Sequence, residues 1–291
     1  MKTKPAPQLK QFASFWTLTG QPPDGPEWSV EEKVRRARQA GFDAVSGRAR
    51  LDIAAAAHAA GMEFVCYLDA NDRTWRERLE SAAATRPARV NVQLWDHDTP
   101  PKVAVNTWIR MQPVAEKLGL EIDLEVHRDT CTETPEKTRE IAERYQAATG
   151  RICRFCFDHS HPAVVKHLVP PYADRLLGDR RLVQSARQIH LRPFNGHHCQ
   201  VPFTDGRGRI SAEGRQYLDF VEALFALWLK GARGGETLYV CPELGPRASG
   251  YALTTFPDVW SDAVRLRSET ESLWKKQIAR RLCPGRAAKA H

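Results

Sequence analysis

The chain has 291 residues, of which 42% are hydrophobic and 27% are charged, and its formal net charge is +8. These fractions are typical of a globular protein and exclude an intrinsically disordered chain. No apolar run approaches the roughly 18 residues of a membrane-spanning helix, and the N-terminus has no apolar signal-peptide core. We therefore expect a protein of the cytoplasm that makes no membrane contact.

The positive charge is concentrated at the C-terminus. Six basic residues and no acidic residue lie within 275–291, which leaves a net charge of only +2 on the rest of the chain. We interpret 275–291 as a solvated basic tail. Since the body carries almost no excess charge, the composition disfavours nucleic acid as a partner.

Strand-like apolar segments alternate with amphipathic helical segments along the chain. The predicted strands are 12–18, 42–47, 64–69, 89–95, 121–127, 152–159, 188–194 and 237–243. The predicted helices are 29–40, 50–60, 73–84, 102–118, 134–148, 162–187 with a break at Pro170 and Pro171, 213–231 and 257–280. Ser29 and Thr134 are predicted to cap two of these helices.

This alternation is typical of βα units in a parallel sheet. Eight such units close most naturally into a barrel. The sequence therefore predicts an α/β protein with a single (β/α)8 TIM-barrel domain, whose core spans about residues 12–274.

Four potential metal ligands accompany the last four predicted strands, one on each strand. In chain order they are Glu125, Asp158, His190 and Glu243. Active sites of (β/α)8 barrels lie at the C-terminal ends of the strands. A divalent ion held there can polarise a carbonyl or alkoxide oxygen while a neighbouring carboxylate moves a proton. This pattern predicts a metal-dependent enzyme that acts on a small polyol.

Side-chain alternation adds further candidates around these four. His127 shares a strand face with Glu125, and Arg192 shares one with His190. His127 and Arg192 are therefore expected near the mouth of the barrel, where the C-terminal ends of the strands meet. Trp16 lies near the end of the first predicted strand, where it could stack on a sugar ring or fill the core.

The residues resemble those of the xylose-isomerase-like barrels, in particular the sugar phosphate isomerase/epimerase group with its tagatose and psicose 3-epimerases and keto-inositol dehydratases. The resemblance extends from the first strand to the helix after the eighth. Its most specific parts are Glu125 in LEVHR, the 158–161 segment DHSH, His190, the DGRGRI turn at 205–210, and Glu243.

The resemblance implies that Glu125, Asp158, His190 and Glu243 bind one Mn²⁺, Mg²⁺ or Co²⁺ ion. It also implies that Glu125 and Glu243 pass the substrate proton between them and that His161 reaches a substrate oxygen. His127, Arg192 and Trp16 are expected to contact the substrate, on position alone.

The chain also departs from the family pattern. Gly196 stands where the epimerases carry an arginine six residues after the histidine, and Val45 and Ser46 stand where many relatives carry a glutamate. The change at Val45 and Ser46 removes a substrate contact found in some relatives, and the identity of the substrate stays open.

The sequence favours an isomerase or epimerase of a sugar, sugar phosphate or related keto-polyol that works through an enediolate. Three alternatives stay open: a keto-polyol dehydratase or lyase, an apurinic endonuclease-like nuclease with several metals, and a ligand-binding barrel without turnover. For the nuclease, the early strands offer only Asp69, Asp96 and His97. Homo-oligomerisation also stays open, since no surface stripe identifies an interface.

Overall fold

The computed structural model describes residues 5–282, and within them eight parallel strands form one closed barrel in chain order. Each strand pairs with its two neighbours in sequence, and β1 pairs with β8 to close the barrel. The strands are β1 (Gln8–Ser14), β2 (Ala44–Gly47), β3 (Glu63–Ala70), β4 (Arg89–Leu94), β5 (Ile122–Val126), β6 (Phe155–Asp158), β7 (Ala186–Leu191) and β8 (Thr237–Pro242).

Helices follow the strands and surround the barrel. They are α1 (Val30–Gln39), α2 (Leu51–Ala59), α3 (Trp75–Ala84), α4 (Pro101–Lys117), α5 (Pro135–Thr149), α6 (Ser160–Val165), α7 (Ala173–Leu176), α8 (Arg180–Ser185), α9 (Ala212–Gly231) and α10 (Val259–Leu282), with a short 3-10 helix at Arg247–Ser249. The predicted single-domain (β/α)8 barrel is confirmed.

The predicted helix starts at Ser29 and Thr134 have a local cause. Ser29 Oγ accepts a hydrogen bond from Glu32 N, and Thr134 Oγ1 accepts one from Lys137 N, both at 3.2 Å. These bonds satisfy backbone donors that the first turn of a helix leaves free. Local sequence therefore sets where α1 and α5 begin.

The first strand was predicted four residues too late. The prediction was 12–18, whereas β1 ends at Ser14 and the chain then turns, with Leu18 N donating to Ser14 O. The apolar run FASFWTL continues through this turn because Phe15 and Leu18 are buried in the outer core. A short apolar run does not by itself distinguish a strand from a buried turn. The pairing of β1 with β8 over Gln8–Gln11 decides the matter.

The region before β7 also differs from the prediction. The helical segment predicted at 162–187 is divided into α6, α7 and α8, and the break at Pro170 and Pro171 is confirmed. The seventh strand was predicted at 188–194 but ends at Leu191. His190 is therefore at the C-terminal end of its strand, not near its middle.

The strands are buried on both faces, as expected for a parallel sheet covered by helices. Apolar side chains fill the space between the barrel and the helices. The barrel interior is more polar. Near its N-terminal end, Arg89 donates two 2.6 Å hydrogen bonds to the fully buried Asp123, which also accepts one from Gln188.

The limits of the domain remain predictions at both ends. β1 begins at Gln8, before the predicted core limit of residue 12. The basic tail predicted from residue 275 begins within α10, which continues to Leu282, and residues 283–291 lie outside the described range. None of the helices within 5–282 combines the length and apolar character needed to cross a lipid bilayer.

Candidate active site at the mouth of the barrel

The four predicted ligands meet at the C-terminal end of the barrel. Glu125 lies in β5, Asp158 ends β6, His190 is the second-last residue of β7 and Glu243 directly follows β8. Asp158 pairs in register with His190, and Glu243 N donates to Leu191 O at 2.9 Å. Backbone pairing of neighbouring strands therefore brings Asp158, His190 and Glu243 together, and Glu125 is in register with Cys156, two residues before Asp158.

His190 lies at the centre of this group. Its Nδ1 is 3.0 Å from Glu125 Oε1 and 3.3 Å from Glu243 Oε2. One ligand atom each from Asp158, His190 and Glu243 lies within 4.8 Å of the others, and the same holds for Glu125, Cys156 and His190. These distances bring oxygen and nitrogen donors together around a common point.

Three of these donor atoms are buried and form no well-oriented hydrogen bond, although each lies within 3.1 Å of a polar or charged neighbour. They are Glu125 Oε1, Asp158 Oδ2 and His190 Nδ1. Buried polar atoms in folded proteins are nearly always hydrogen-bonded. Buried carboxylate oxygens that lack a well-oriented hydrogen bond and lie beside an imidazole nitrogen fit the donor set of a divalent cation. The residues present therefore suit the metal that the sequence predicted.

Each of two carboxylates is anchored through one oxygen, which leaves the other oxygen available. Asn91 Nδ2 donates to Glu125 Oε2 at 2.8 Å. Ser160 donates to Asp158 Oδ1 from both its backbone N, at 2.9 Å, and its Oγ, at 2.6 Å. Such partners orient metal ligands in proteins. Neither residue was predicted from the sequence. The Asp-x-Ser spacing was a visible signal for Ser160, whereas Asn91 is distant in sequence.

Arg192 reaches further into the site than its predicted role suggested. Its Nη2 lies 2.7 Å from Glu243 Oε2 and 3.1 Å from Asp158 Oδ2, and its Nε donates to Glu243 O at 3.0 Å. Only 2% of the residue is exposed. The guanidinium lies 5.3 Å from the ring centre of Trp16 and 4.6 Å from that of Tyr251.

Trp16 and Tyr251 form an aromatic wall beside Arg192, with ring centres 5.0 Å apart in a T-shaped arrangement. Gly245 makes this contact possible, because a Cβ there would lie 2.5 Å from both Trp16 Cη2 and Tyr251 Cβ. Tyr251 was not predicted from the sequence. It lies in the loop after β8, where no local pattern indicates which residue turns towards the mouth.

The two predicted substrate-contacting histidines lie together on the other side of Asp158. His161 Nε2 is 3.3 Å from Asp158 Oδ2 without forming a hydrogen bond. The ring centres of His161 and the half-buried His127 are 4.2 Å apart. The structure therefore brings all eight predicted site residues into one group.

The electrostatics of the site keep its carboxylates ionised. Burial opposes ionisation of Glu125, but the charge of His190 outweighs it and lowers the pKa of Glu125 to about 2. Burial also opposes ionisation of Asp158, whose pKa is nevertheless held well below its usual value by Arg192 and then His161. Burial lowers the pKa of His161 to about 4. His161 is therefore neutral near pH 7 and can donate or accept a hydrogen bond.

The sequence departure at Gly196 is enforced by packing. A Cβ at this position would lie 2.0 Å from Leu168 O. No side chain can be placed there without moving the backbone. An arginine at this position is therefore incompatible with the observed loop.

The acidic and histidine residues of the early strands do not join the site. Asp69 pairs with Arg48 at 2.6 Å, and His97 Nδ1 pairs with Asp129 at 2.6 Å. Two groups of potential metal ligands occur within residues 5–282, and both contain His190. The described part of the chain thus offers one centre and not the extended metal cluster of a nuclease.

The sequence matches no protein-family model and no curated protein. Three solved structures with similar folds are an L-ribulose 3-epimerase, a D-allulose 3-epimerase from Methylomonas sp. and a xylose isomerase-like TIM barrel protein from Mycobacterium smegmatis in complex with magnesium. The L-ribulose 3-epimerase is 12% identical, with a TM-score of 0.63. The match covers 95% of this chain and 97% of the epimerase chain. The D-allulose 3-epimerase is 15% identical, with a TM-score of 0.59. The match covers 94% of this chain and 100% of the epimerase chain.

The magnesium-bound protein is 13% identical, with a TM-score of 0.59. The match covers 95% of this chain and 97% of the magnesium-bound chain. At such identities, similarity of structure establishes the fold. The resemblance to xylose-isomerase-like barrels is confirmed at that level.

Proposed function

We propose that this protein is a divalent-metal-dependent isomerase or epimerase of a sugar, sugar phosphate or related keto-polyol. The observation that carries the proposal is the convergence of Glu125, Asp158, His190 and Glu243, three of whose buried donor atoms form no well-oriented hydrogen bond. The fold similarity to sugar epimerases supports the same class of reaction.

Glu125, Asp158, His190 and Glu243 would hold the metal, and their oxygen-rich donor set suits Mn²⁺, Mg²⁺ or Co²⁺. Such an ion, when bound, makes a carbon-bound proton beside a substrate carbonyl more acidic. The protein must then supply the groups that remove and return this proton.

Glu125 and Glu243 are proposed as these groups. Their carboxylates approach His190 Nδ1 from two different strands, at 3.0 Å and 3.3 Å. A substrate carbon held between them could lose its proton to one glutamate and regain a proton from the other, through an enediolate. Glu243, with 14% of its side chain exposed, is the more accessible of the two.

The remaining residues would orient the substrate. His161 Nε2 and Arg192 Nη1 are both buried without a hydrogen-bond partner in the described chain, so each can bind a substrate oxygen. His127 adjoins His161, and Trp16 offers an aromatic face beside Arg192. These contacts would hold adjacent substrate oxygens while the proton moves.

The first test is the metal content of protein prepared without chelator and re-supplied with Mn²⁺, with Glu125→Ala as the matched control. About one ion per chain, lost in Glu125→Ala, is the expected result. Several ions per chain would favour the nuclease, and no bound ion would favour a barrel that binds a ligand without turnover.

The second test is incorporation of solvent deuterium into a panel of ketohexoses, ketopentoses, their phosphates and keto-inositols. An isomerase or epimerase incorporates deuterium at the carbon beside the carbonyl and forms an isomer of unchanged mass apart from the label. A product lighter than its substrate by one water would identify the dehydratase alternative. No exchange with any member of the panel, in metal-loaded protein, would contradict the proposal.

A further inference from the structure

We propose that Arg192 acts as a fixed second cation of the metal centre, which restricts the centre to one divalent ion and weakens the binding of that ion. The inference rests on the metal site proposed above. It concerns the charge of the site and its selectivity for ions, in addition to any contact that Arg192 makes with substrate.

Arg192 lies among the proposed metal ligands. Its Nη2 lies within 3.1 Å of carboxylate oxygens from two of the four proposed ligands, Asp158 and Glu243. A cation at this place competes directly with a metal ion for the same oxygens. Arg192 therefore belongs to the group of charged residues around the proposed metal and not only to the wall of the substrate pocket. This group, called the ligand cage below, consists of Glu125, Asp158, His190, Glu243 and Arg192.

The surroundings of Arg192 keep it in this position. Its Nε is bonded to Glu243 O, its guanidinium lies against the rings of Trp16 and Tyr251, and 2% of the residue is exposed. Gly245 closes the wall behind these rings, since any larger residue would collide with both. A guanidinium held on three sides cannot leave when an ion arrives without breaking this packing.

The charges of Arg192 and the proposed ligands together balance the charge of one divalent ion. Glu125, Asp158 and Glu243 contribute three negative charges, Arg192 contributes one positive charge, and a metal-binding histidine is neutral. The cage then carries a net charge of −2, which one divalent ion neutralises. A second divalent ion would leave an uncompensated positive charge in a buried site, which is strongly unfavourable.

Arg192 also explains how the ion-free protein can keep its shape. Without Arg192, only His190 would offset the repulsion between Asp158, which is completely buried, and its neighbour Glu243. Arg192 compensates for part of this repulsion whether or not an ion is present. We therefore expect chelated protein to stay folded and the site to exchange its ion readily.

The test compares Mn²⁺ binding to the full chain by isothermal titration calorimetry in the unaltered protein, Arg192→Gln and Arg192→Lys. Arg192→Gln removes the charge, and Arg192→Lys keeps it. We expect one ion per chain in the unaltered protein, at least tenfold tighter binding in Arg192→Gln, and an affinity within about threefold of the unaltered protein in Arg192→Lys.

Folding is checked separately by circular dichroism with and without Mn²⁺. Arg192→Met, whose apolar side chain can still pack between the rings, serves as a second uncharged variant. An uncharged variant that folds only when Mn²⁺ is present would also support the proposal, since the ion would then replace the missing charge.

Unchanged or weaker Mn²⁺ binding in both uncharged variants would overturn the inference, as would two ions bound to the unaltered protein. If the unaltered protein binds one ion and the variants do not bind it more tightly, only the role of Arg192 fails. If the unaltered protein binds no ion, the proposed metal-dependent function fails with it.

Discussion

Asn91 Nδ2 donates a hydrogen bond of 2.8 Å to Glu125 Oε2 inside the barrel, from one strand to the next. Both residues are almost completely buried. The bond occupies one carboxylate oxygen and leaves Glu125 Oε1 free beside His190. Asn91 thus decides which oxygen of Glu125 is offered to an ion.

Asn91→Ala should weaken Mn²⁺ binding by roughly 10- to 100-fold, the usual cost of removing a residue that orients a metal ligand. Titration calorimetry measures the change. Gln188→Ala is the matched control, because Gln188 bonds to Asp123 deeper in the same barrel. The control should lower stability and leave Mn²⁺ affinity unchanged. An Asn91→Ala protein with ordinary affinity would show that Glu125 does not need this anchor.

Glu243→Gln should retain the fold and lose at least about 100-fold in turnover, because it removes a base with little change in shape. The side-chain oxygen of glutamine can still accept the bond from Arg192. The rate of solvent-deuterium incorporation measures turnover, and thermal unfolding checks the fold. Glu121→Gln is the control, since Glu121 pairs with Arg154 at the start of β5, away from the mouth. Full activity in Glu243→Gln would remove Glu243 from the mechanism.

Arg89→Ala should lower the free energy of unfolding by about 3–5 kcal/mol, the usual cost of breaking a buried ion pair by removing one partner. Asp123 is completely buried and would retain only the hydrogen bond from Gln188. Urea denaturation measures the change. The double variant Arg89→Met, Asp123→Leu removes both charges and should recover most of the loss. A loss below about 1 kcal/mol in Arg89→Ala would contradict the importance of this pair.

Gly245→Ala should displace the aromatic wall. The added Cβ would lie 2.5 Å from Trp16 Cη2 and Tyr251 Cβ, so we expect a loss of about 1–3 kcal/mol in the free energy of unfolding. We also expect a lower kcat/KM, because Trp16 and Arg192 would move together. Gly25→Ala is the control, since its Cβ would meet nothing closer than Pro22 Cγ at 3.6 Å. Unchanged stability and activity in Gly245→Ala would show that the wall tolerates displacement.

Much of the site could be read from the sequence because its ligands are tied to local patterns. Glu125, Asp158 and Glu243 each lie at or next to the end of a strand that is recognisable by its apolar run. Side-chain alternation placed His127 beside Glu125 and Arg192 beside His190. Errors of two to four residues in strand limits, as in β1 and β7, did not affect these relations, since all of them are local.

Other parts could not be predicted in this way. Asn91 reaches Glu125 from a neighbouring strand 34 residues away, and Tyr251 reaches Arg192 from a loop of irregular structure. The lateral shift between paired strands sets which side chains share a level, and a single strand carries no record of this shift. The position of β1 depended in the same way on its pairing with β8.

The sequence by itself determined the order of strands and helices, two helix starts and the residue types at the strand ends, because propensity, capping and alternation act over a few residues. Only the tertiary structure decided that the guanidinium of Arg192 lies between Asp158 and Glu243. Three strands must come into register and two aromatic rings must close behind the guanidinium before that contact exists. Strand pairing joins residues far apart in the chain, and the charge of the site follows from that pairing.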